Sequence, residues 1–210
     1  MTENADVWEL LFAERKDLAD FLDALTADQW DTQSLCTEWN VRDAAAHVIL
    51  GITMTKGAFI KSFAKSGFNF NKAMARDAKE FGARPPDVIV KELRAHIDDR
   101  TLPPGVKPPN MLGDTIVHQQ DCRRPLGMLR QVPPERLRVA LDAMKGVQPV
   151  LGNRKRIAGL ELVATDMDWT CGDGPEVRGT GEALLMMMNG RSAAIDDLTG
   201  EGVDTLRSRV

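Results

Sequence analysis

The segment LFAERKDLADFLDALTADQWDTQSLCTEWNVRDAAAHV, residues 11–48, decides the fold because it predicts two helices and the short connection between them. Apolar residues recur at helical spacing over Val7–Leu25, which predicts the first helix. The pattern of Thr26–Gln29 is that of a capping box, which opens a short helical turn. Asn40 is a good N-cap residue, so it predicts the start of a second long helix, which we expect to run to about Ala64.

Further helices are predicted downstream, with prolines marking their starts and ends. Four prolines make Thr101–Pro109 a stiff loop. The predicted helices are Asn71–Phe81, Pro86–Ile97, a helix that Asn110 caps and that Pro125 and Gly127 end, and Pro134–Met144.

The last third of the sequence has a different pattern. Partial alternation of apolar residues in Ala158–Trp169 predicts a strand, and Val177 can begin a second one after the turn Gly172–Pro175. Glu182–Asn189 is a short apolar helix that Gly190 ends. The sequence therefore predicts a mainly α fold, with a helical bundle in residues 1–146 and a small α/β region in residues 147–210.

Composition narrows the class of protein. The 210 residues carry a net charge of −4 with 43% hydrophobic residues, which suits a globular core and disfavours a general nucleic-acid binder. The N-terminus lacks the pattern of a secretory signal, and no apolar stretch approaches the roughly 18 residues of a membrane span. Three widely spaced cysteines indicate a reducing compartment, so we expect a cytoplasmic protein that contacts neither nucleic acid nor membrane.

Two of the three histidines lie in patterns that suit a metal site. Asp114 and His118 are four residues apart in DTIVHQQD, so on one helix their side chains lie side by side. Asp121, three residues further on, can bind the same ion or orient the imidazole. His47 lies in the second long helix with the small neighbours Ala44 and Gly51, which leave room beside its ring. Two imidazoles and one carboxylate leave an open position, as in catalytic zinc sites.

Simpler interpretations exist for each of these residues. A carboxylate and a histidine at this spacing often form an ordinary surface pair, and a histidine within a helix is often a hydrogen-bonded core residue. His96 lies in the charged stretch KELRAHIDDR and is expected on a solvated face. Cys36 and Cys122 are expected to pack, although Cys36 can also be a nucleophile and Cys122 can face the site. Cys171 lies in a glycine-rich turn that can border a pocket.

Aromatic and methionine side chains are expected to pack rather than to bind ligands. Trp30 and Trp39 are predicted packing anchors between the first two long helices. Met186–Met188 are predicted to belong to the core.

Three ordered motifs resemble those of the mycothiol-dependent maleylpyruvate isomerase family. The first lies in residues 11–48, where the family has a Trp, Ser-Leu-Cys, a second Trp, Val-Arg-Asp and Ala-His. In this sequence they are Trp30, Ser34–Cys36, Trp39, Val41–Asp43 and Ala46–His47. DTIVHQQDCRRPLG (residues 114–127) resembles the second motif, and ATDMDWTCGDGPEVRGTGEALLMMMNGR (residues 164–191) resembles the third.

This resemblance implies a DinB-like four-helix bundle that holds a divalent metal ion, usually zinc. The ligands that it implies are His47, Asp114 and His118. The characterised isomerase has glutamate at the position of Asp114. Because aspartate is one methylene shorter, either the helix approaches the ion more closely or a water molecule bridges the two.

The family's thiol is mycothiol, so the resemblance implies a low-molecular-weight thiol and a small electrophile as partners. A bound metal can lower the pKa of a thiol or polarise a carbonyl, which suits an S-transferase or a cis–trans isomerase. An anionic substrate needs a further cation, for which Arg123, Arg124 and Arg191 are candidates. The family favours Arg191, although an arginine there can also satisfy helix carbonyls.

Two alternatives remain open from the sequence. One is a non-catalytic DinB-like module that binds a metal ion or a small molecule, and the other is a helical protein whose motifs serve packing alone. Related bundles often form dimers, so a homodimer is a further expectation.

Overall fold

A computed structural model describes residues 6–145 and 153–210 of the chain. The chain separates into two compact units, the first ending at Arg130 and the second beginning at Gln131. The predicted boundary at residue 146 lies outside the described residues. Helix Pro134–Met144, which the sequence analysis placed in the bundle, belongs to the second unit because it packs against helix Gly181–Met188 there.

The first unit consists of seven helices within its described residues. They are α1 (Val7–Asp23), α2 (Ala27–Trp30), α3 (Val41–Thr53), α4 (Lys56–Lys65), α5 (Phe70–Gly82), α6 (Pro86–Ala95) and α7 (Pro108–Arg123). The two predicted N-terminal signals are confirmed: Thr26 and Gln29 form a reciprocal capping box before α2, and Asn40 and Asp43 form another before α3. None of the helices in the described part of the chain is both long and apolar enough to cross a bilayer.

Helix α7 packs against both α1 and α3, and α6 packs against the same two helices. Between Met111 and Cys122 every side chain of α7 is buried except that of Asp114. Such all-round burial is typical of a helix at the centre of a domain. The bundle therefore places a single partly exposed carboxylate on its most enclosed helix.

The structure corrects two predicted helix boundaries. Helix α3 ends at Thr53 rather than near Ala64, because Met54 is extended and Thr55 caps a separate helix, α4, by accepting from the amide of Ala58. Asn110 does not cap α7; the helix starts at Pro108, whose fixed φ and missing N–H suit the first helical position.

The second unit combines short helices with a small sheet. Its elements are α8 (Pro134–Met144), α9 (Asn153–Ile157), β1 (Glu161–Ala164), β2 (Thr170–Gly172), β3 (Glu176–Gly179), α10 (Gly181–Met188), a 3₁₀ helix (Ser192–Asp197) and α11 (Val203–Arg207). The strand order is β2-β1-β3, with β1 antiparallel to β2 and parallel to β3. β1 and β3 were predicted, whereas β2 was missed because it has only three residues and lies beside a predicted turn. The mainly α fold with an α/β C-terminal region is confirmed.

Gly172 and Gly159 test how tightly the sheet is built, because both have a positive φ but different surroundings. A Cβ atom at Gly172 would lie 2.1 Å from the carbonyl oxygen of Leu160, whereas one at Gly159 would meet nothing within 4 Å. Gly159→Ala is therefore expected to cost about 1–2 kcal/mol, the price of the left-handed backbone alone. Gly172→Ala is expected to cost more than about 3 kcal/mol, since backbone atoms must also move. Thermal and urea unfolding of the two variants measure this, and equal losses would contradict it.

Candidate metal centre

The three predicted ligand residues converge within the first unit. His47 comes from α3, and Asp114 and His118 come from consecutive turns of α7. The carboxylate of Asp114 lies between the imidazoles, with Oδ1 3.6 Å from Nε2 of His118 and Oδ2 4.0 Å from Nε2 of His47. One ligand atom from each residue lies within 4.8 Å of the other two. The spacing on α7 and the packing of α3 against α7 thus bring together donors that are far apart in the sequence.

Small residues on α3 let it approach α7 closely. A Cβ atom at Gly51 would lie 2.7 Å from the terminal methyl of Met111, so this glycine makes room for a methionine of α7. Gly51 was predicted to leave room for an ion or substrate beside His47, but Met111 fills the space at this glycine. At the other end of α3, the thiol of Cys122 lies 3.8 Å from the carbonyl oxygen of Val41.

An indole ring packs against both imidazoles. The ring centroid of Trp39 is 4.8 Å from that of His47 and 5.7 Å from that of His118, and the two imidazoles meet edge to face at 4.7 Å. The Nε1–H of Trp39 is buried and has no hydrogen-bond acceptor in the described residues. Trp39 packs against the hydrophobic core of the bundle, as predicted, and it also forms a wall of the candidate site.

Asp121 contacts the opposite nitrogen of His118. Its Oδ2 lies 3.0 Å from Nδ1 of His118, and its side chain is fully buried. A carboxylate at this position accepts a hydrogen bond from Nδ1–H and leaves Nε2 free to bind a cation, which is how histidine ligands are commonly oriented. Of the two roles that the sequence left open for Asp121, the geometry favours orientation of the ring.

Cys36 belongs to the same cluster. Its thiol donates to Oδ2 of Asp121 at 3.2 Å and lies 3.9 Å from Nδ1 of His118. The adjacent amide of Leu35 donates to the main-chain carbonyl of Asp121 at 3.0 Å, which fixes the loop before α3 to the last turns of α7. Cys36 was expected to pack, so its place here was missed. The signal was its position within the Ser-Leu-Cys element of the first motif.

The electrostatics of the cluster favour a cation. Burial lowers the pKa of His118, but the charge of Asp114 and the hydrogen bonds with Asp121 and Cys36 outweigh it and raise the pKa to about 10. The carboxylates of Asp114 and Asp121 lie on either side of the buried imidazole of His118. They therefore favour either a protonated ring or a metal ion bound to it. By contrast, burial raises the pKa of Cys122 far above its usual value, which makes that thiol inert.

The donor set fits a tetrahedral divalent ion. Donors about 2.0–2.1 Å from such an ion lie about 3.4 Å apart. Here one donor atom from each residue lies within 4.8 Å of the other two, so binding requires inward shifts of up to about 1.4 Å. Two nitrogens and one oxygen suit zinc and leave one coordination position open. The partial exposure of Asp114 gives that position a route to solvent.

The remaining candidates have other roles in the described residues. Arg123 stacks on Phe21 and donates to the side chain of Gln119 at 2.9 Å, so it stabilises the bundle. His96 is partly exposed and pairs with Asp99, as expected for a charged surface. Met186–Met188 are buried, which confirms the prediction of a core run.

Arg191 and Cys171 both lie in the second unit. Arg191 is the N-cap residue of the 3₁₀ helix, and its Nη1 donates to the carbonyl of Asn189 at 2.8 Å, so it satisfies a carbonyl at the end of α10. Cys171 lies on β2, and partial burial raises the pKa of its thiol.

Comparison with known proteins supports the likeness seen in the sequence motifs. The family model described as "Mycothiol maleylpyruvate isomerase N-terminal domain" matches residues 11–130 and ends where the first compact unit ends. The chain belongs to this family. A search of curated proteins finds no significant match.

Two solved structures share the fold over both units. The crystal structure of a mycothiol-dependent maleylpyruvate isomerase is 15% identical, with a TM-score of 0.65, and the match covers 93% of this chain and 91% of that one. A histidine-to-alanine variant of the isomerase matches with 14% identity and a TM-score of 0.62 over the same shares. The DinB-like helical fold is thereby confirmed, and the C-terminal unit matches a region that the isomerase also has.

Replacing Asp121 with asparagine tests its role in orienting His118. The amide keeps the shape of the side chain but removes the charge that holds the Nδ1 proton, so metal affinity is expected to fall about 10- to 100-fold. Glu14→Gln is the matched control, because Glu14 is also a fully buried carboxylate but pairs with Arg130 outside the cluster. Competition with a chromogenic chelator measures both affinities. If Asp121→Asn binds zinc as tightly as the wild type, the orienting role is wrong.

Proposed function

We propose that the protein is a divalent-metal-dependent enzyme that uses mycothiol as a thiol cosubstrate and acts on a small electrophile as an isomerase or S-transferase. The observation that carries this proposal is the convergence of His47, Asp114 and His118 in a member of the maleylpyruvate isomerase family. Zinc is the proposed ion, because the donors are two imidazoles and one carboxylate with an open position.

Each residue of the centre has a distinct task in this proposal. His47, Asp114 and His118 bind the ion, and Asp121 keeps the proton of His118 on Nδ1. Trp39 covers one side of the imidazoles and limits the access of water. When bound, the ion lowers the pKa of a thiol and polarises a carbonyl group.

The chemistry then depends on what the electrophile does after the thiolate attacks. Addition of sulfur to a conjugated double bond turns it into a single bond, about which the adduct can rotate. Elimination of the thiolate restores the double bond with the opposite geometry, which is a cis–trans isomerisation. If the sulfur instead stays attached, the product is a thioether and the reaction is an S-transfer. Both reactions need the same activated thiol.

Metal content is the first test of this proposal. Wild-type protein purified without a histidine tag is expected to contain about one divalent ion per chain, which His47→Ala and His118→Ala lose because each removes one of three protein ligands. His96→Ala is the matched control, since His96 lies outside the cluster, and it is expected to retain the ion. Elemental analysis measures all four proteins. No bound ion in the wild type after reconstitution with zinc would reject the metal site.

The thiol reaction is tested on the metal-loaded protein. Conversion of maleylpyruvate, or consumption of another activated double bond, should require both mycothiol and the ion. Metal binding without any thiol-dependent conversion would instead support the non-catalytic binding module.

We further propose Arg191 as the cation that pairs with a carboxylate of the substrate, on the strength of the family resemblance. Arg191→Ala is expected to raise KM about tenfold or more, the effect of losing a charged hydrogen bond, with metal content unchanged. The exposed Arg154 gives a matched control, Arg154→Ala, in the same unit. Steady-state kinetics with a carboxylate substrate measure KM. An unchanged KM in Arg191→Ala would leave this arginine with the structural role of satisfying a helix carbonyl.

A further inference from the structure

Helix α4, the turn after it and the start of α5 carry a patch of exposed and partly exposed aromatic, aliphatic and basic side chains. We name it the α4 patch; its members are Phe59, Ile60, Phe63, Phe68, Phe70, Lys56, Lys61, Lys65 and Lys72. Ile60 is 66% exposed, Phe68 is 72% exposed and Phe70 is 42% exposed. The members span residues 56–72, and four of the seven phenylalanines of the chain lie within these 17 residues. This is a concentration of apolar surface, unlike the single exposed side chains elsewhere in the described residues.

The patch has a defined local structure. The amides of Gly67 and Phe68 donate to the carbonyls of Ala64 and Phe63, which is the hydrogen-bond pattern of a Schellman motif. Phe68 has a φ of +60°, which is unfavourable for a residue with a side chain, and its ring meets that of Phe63 edge to face at 5.5 Å. That contact explains where the ring lies, but most of the ring still faces solvent.

The inner side of α4 is held firmly to α5. Ser62 of α4 hydrogen-bonds the carboxylate of Asp77, and Arg76 donates to the hydroxyls of Ser62 at 2.7 Å and Ser66 at 2.9 Å. Arg76 also pairs with Asp77 at 2.6 Å, so its charge is balanced. The helix that carries Ile60 is therefore anchored to α5, and the exposed rings of Phe68 and Phe70 lie in the turn after α4 and at the start of α5.

The charge of the patch is uncompensated. No aspartate or glutamate occurs between Asp43 and Asp77, although the whole chain has a net charge of −4. Lys56, Lys61 and Lys65 are exposed, as is Lys72, and none has an ion-pair partner among the residues that the structure describes. A patch that combines apolar rings with lysines is complementary to a surface that is anionic outside and apolar beneath.

We propose that the α4 patch docks the protein on an anionic lipid surface, with the exposed apolar side chains entering the headgroup region and the lysines pairing with lipid phosphates. An anionic lipid surface is the chosen occupant because its negative charge complements the positive charge of the lysines. A second copy of the chain would set lysines against lysines in a two-fold interface, which is repulsive. This binding is peripheral, and it departs from the sequence-based expectation of no membrane contact. It is independent of the metal centre and of the proposed reaction.

The test is co-sedimentation of the full-length protein with vesicles of phosphatidylcholine alone or mixed with phosphatidylglycerol. Binding is expected only to the anionic vesicles, and it should weaken as salt is raised. Phe68→Asn and Ile60→Gln should each weaken binding to anionic vesicles, because each removes apolar surface, and asparagine tolerates the left-handed backbone at position 68. Lys61→Glu and Lys65→Glu should each weaken it by about fivefold or more.

Matched controls lie outside the patch in the same unit. Leu129 is 72% exposed, the same fraction as Phe68, and Lys91 is an exposed lysine of α6. Leu129→Gln and Lys91→Glu should bind anionic vesicles like the wild type. The proposal is overturned if the wild type binds neither kind of vesicle, or if the patch variants bind as well as the controls. It is also overturned if the patch variants only abolish self-association seen by analytical ultracentrifugation, which would assign the patch to a second copy.

Discussion

The close packing of α3 against α7 is the constraint on which the candidate site depends. Gly51 favours it, because the terminal methyl of Met111 fills the place of a side chain there, although that flexible methyl can shift at small cost. The packing also requires that α3 begin at a fixed point, which the capping box of Asn40 and Asp43 provides. His47 then faces the Asp114 and His118 pair, so that three donors from two helices approach one point.

The chemistry of the site follows from the burial of a second carboxylate. Asp121 is fully buried, and an isolated charge there would cost several kcal/mol, on the order of 3–5 when a buried pair loses one partner. The donors of His118 and Cys36 compensate for that cost and in doing so fix the ring. The positive charge of a protonated imidazole offsets the negative charge of the two carboxylates, and so does a divalent ion bound at Nε2. The site is thus built for a cation.

Much of this arrangement could be predicted, because it depends on local signals. Periodicity and side-chain chemistry within short segments are enough to predict the capping residues and the mainly α fold. They also show the four-residue spacing of Asp114 and His118. The place of Cys36 could not be derived in the same way, because its contact with Asp121 joins residues 85 positions apart through a loop. Strand β2 was missed for a related reason: its three residues are defined by pairing with β1 rather than by their own pattern.

The break between α3 and α4 was also not predicted from the sequence, and it bears on function. A continuous helix to Ala64 would have extended the face that carries His47 and given the aromatic residues no separate surface. Instead Met54 adopts an extended backbone that ends α3, and Thr55 caps the start of α4. Neither residue is a glycine or a proline, which would have predicted the break. α3 can then remain packed against α7, where the metal donors need it, while α4 is tied to α5 through Ser62. The same break therefore separates an acidic, enclosed site from a basic, exposed patch, and each can change by mutation without disturbing the other.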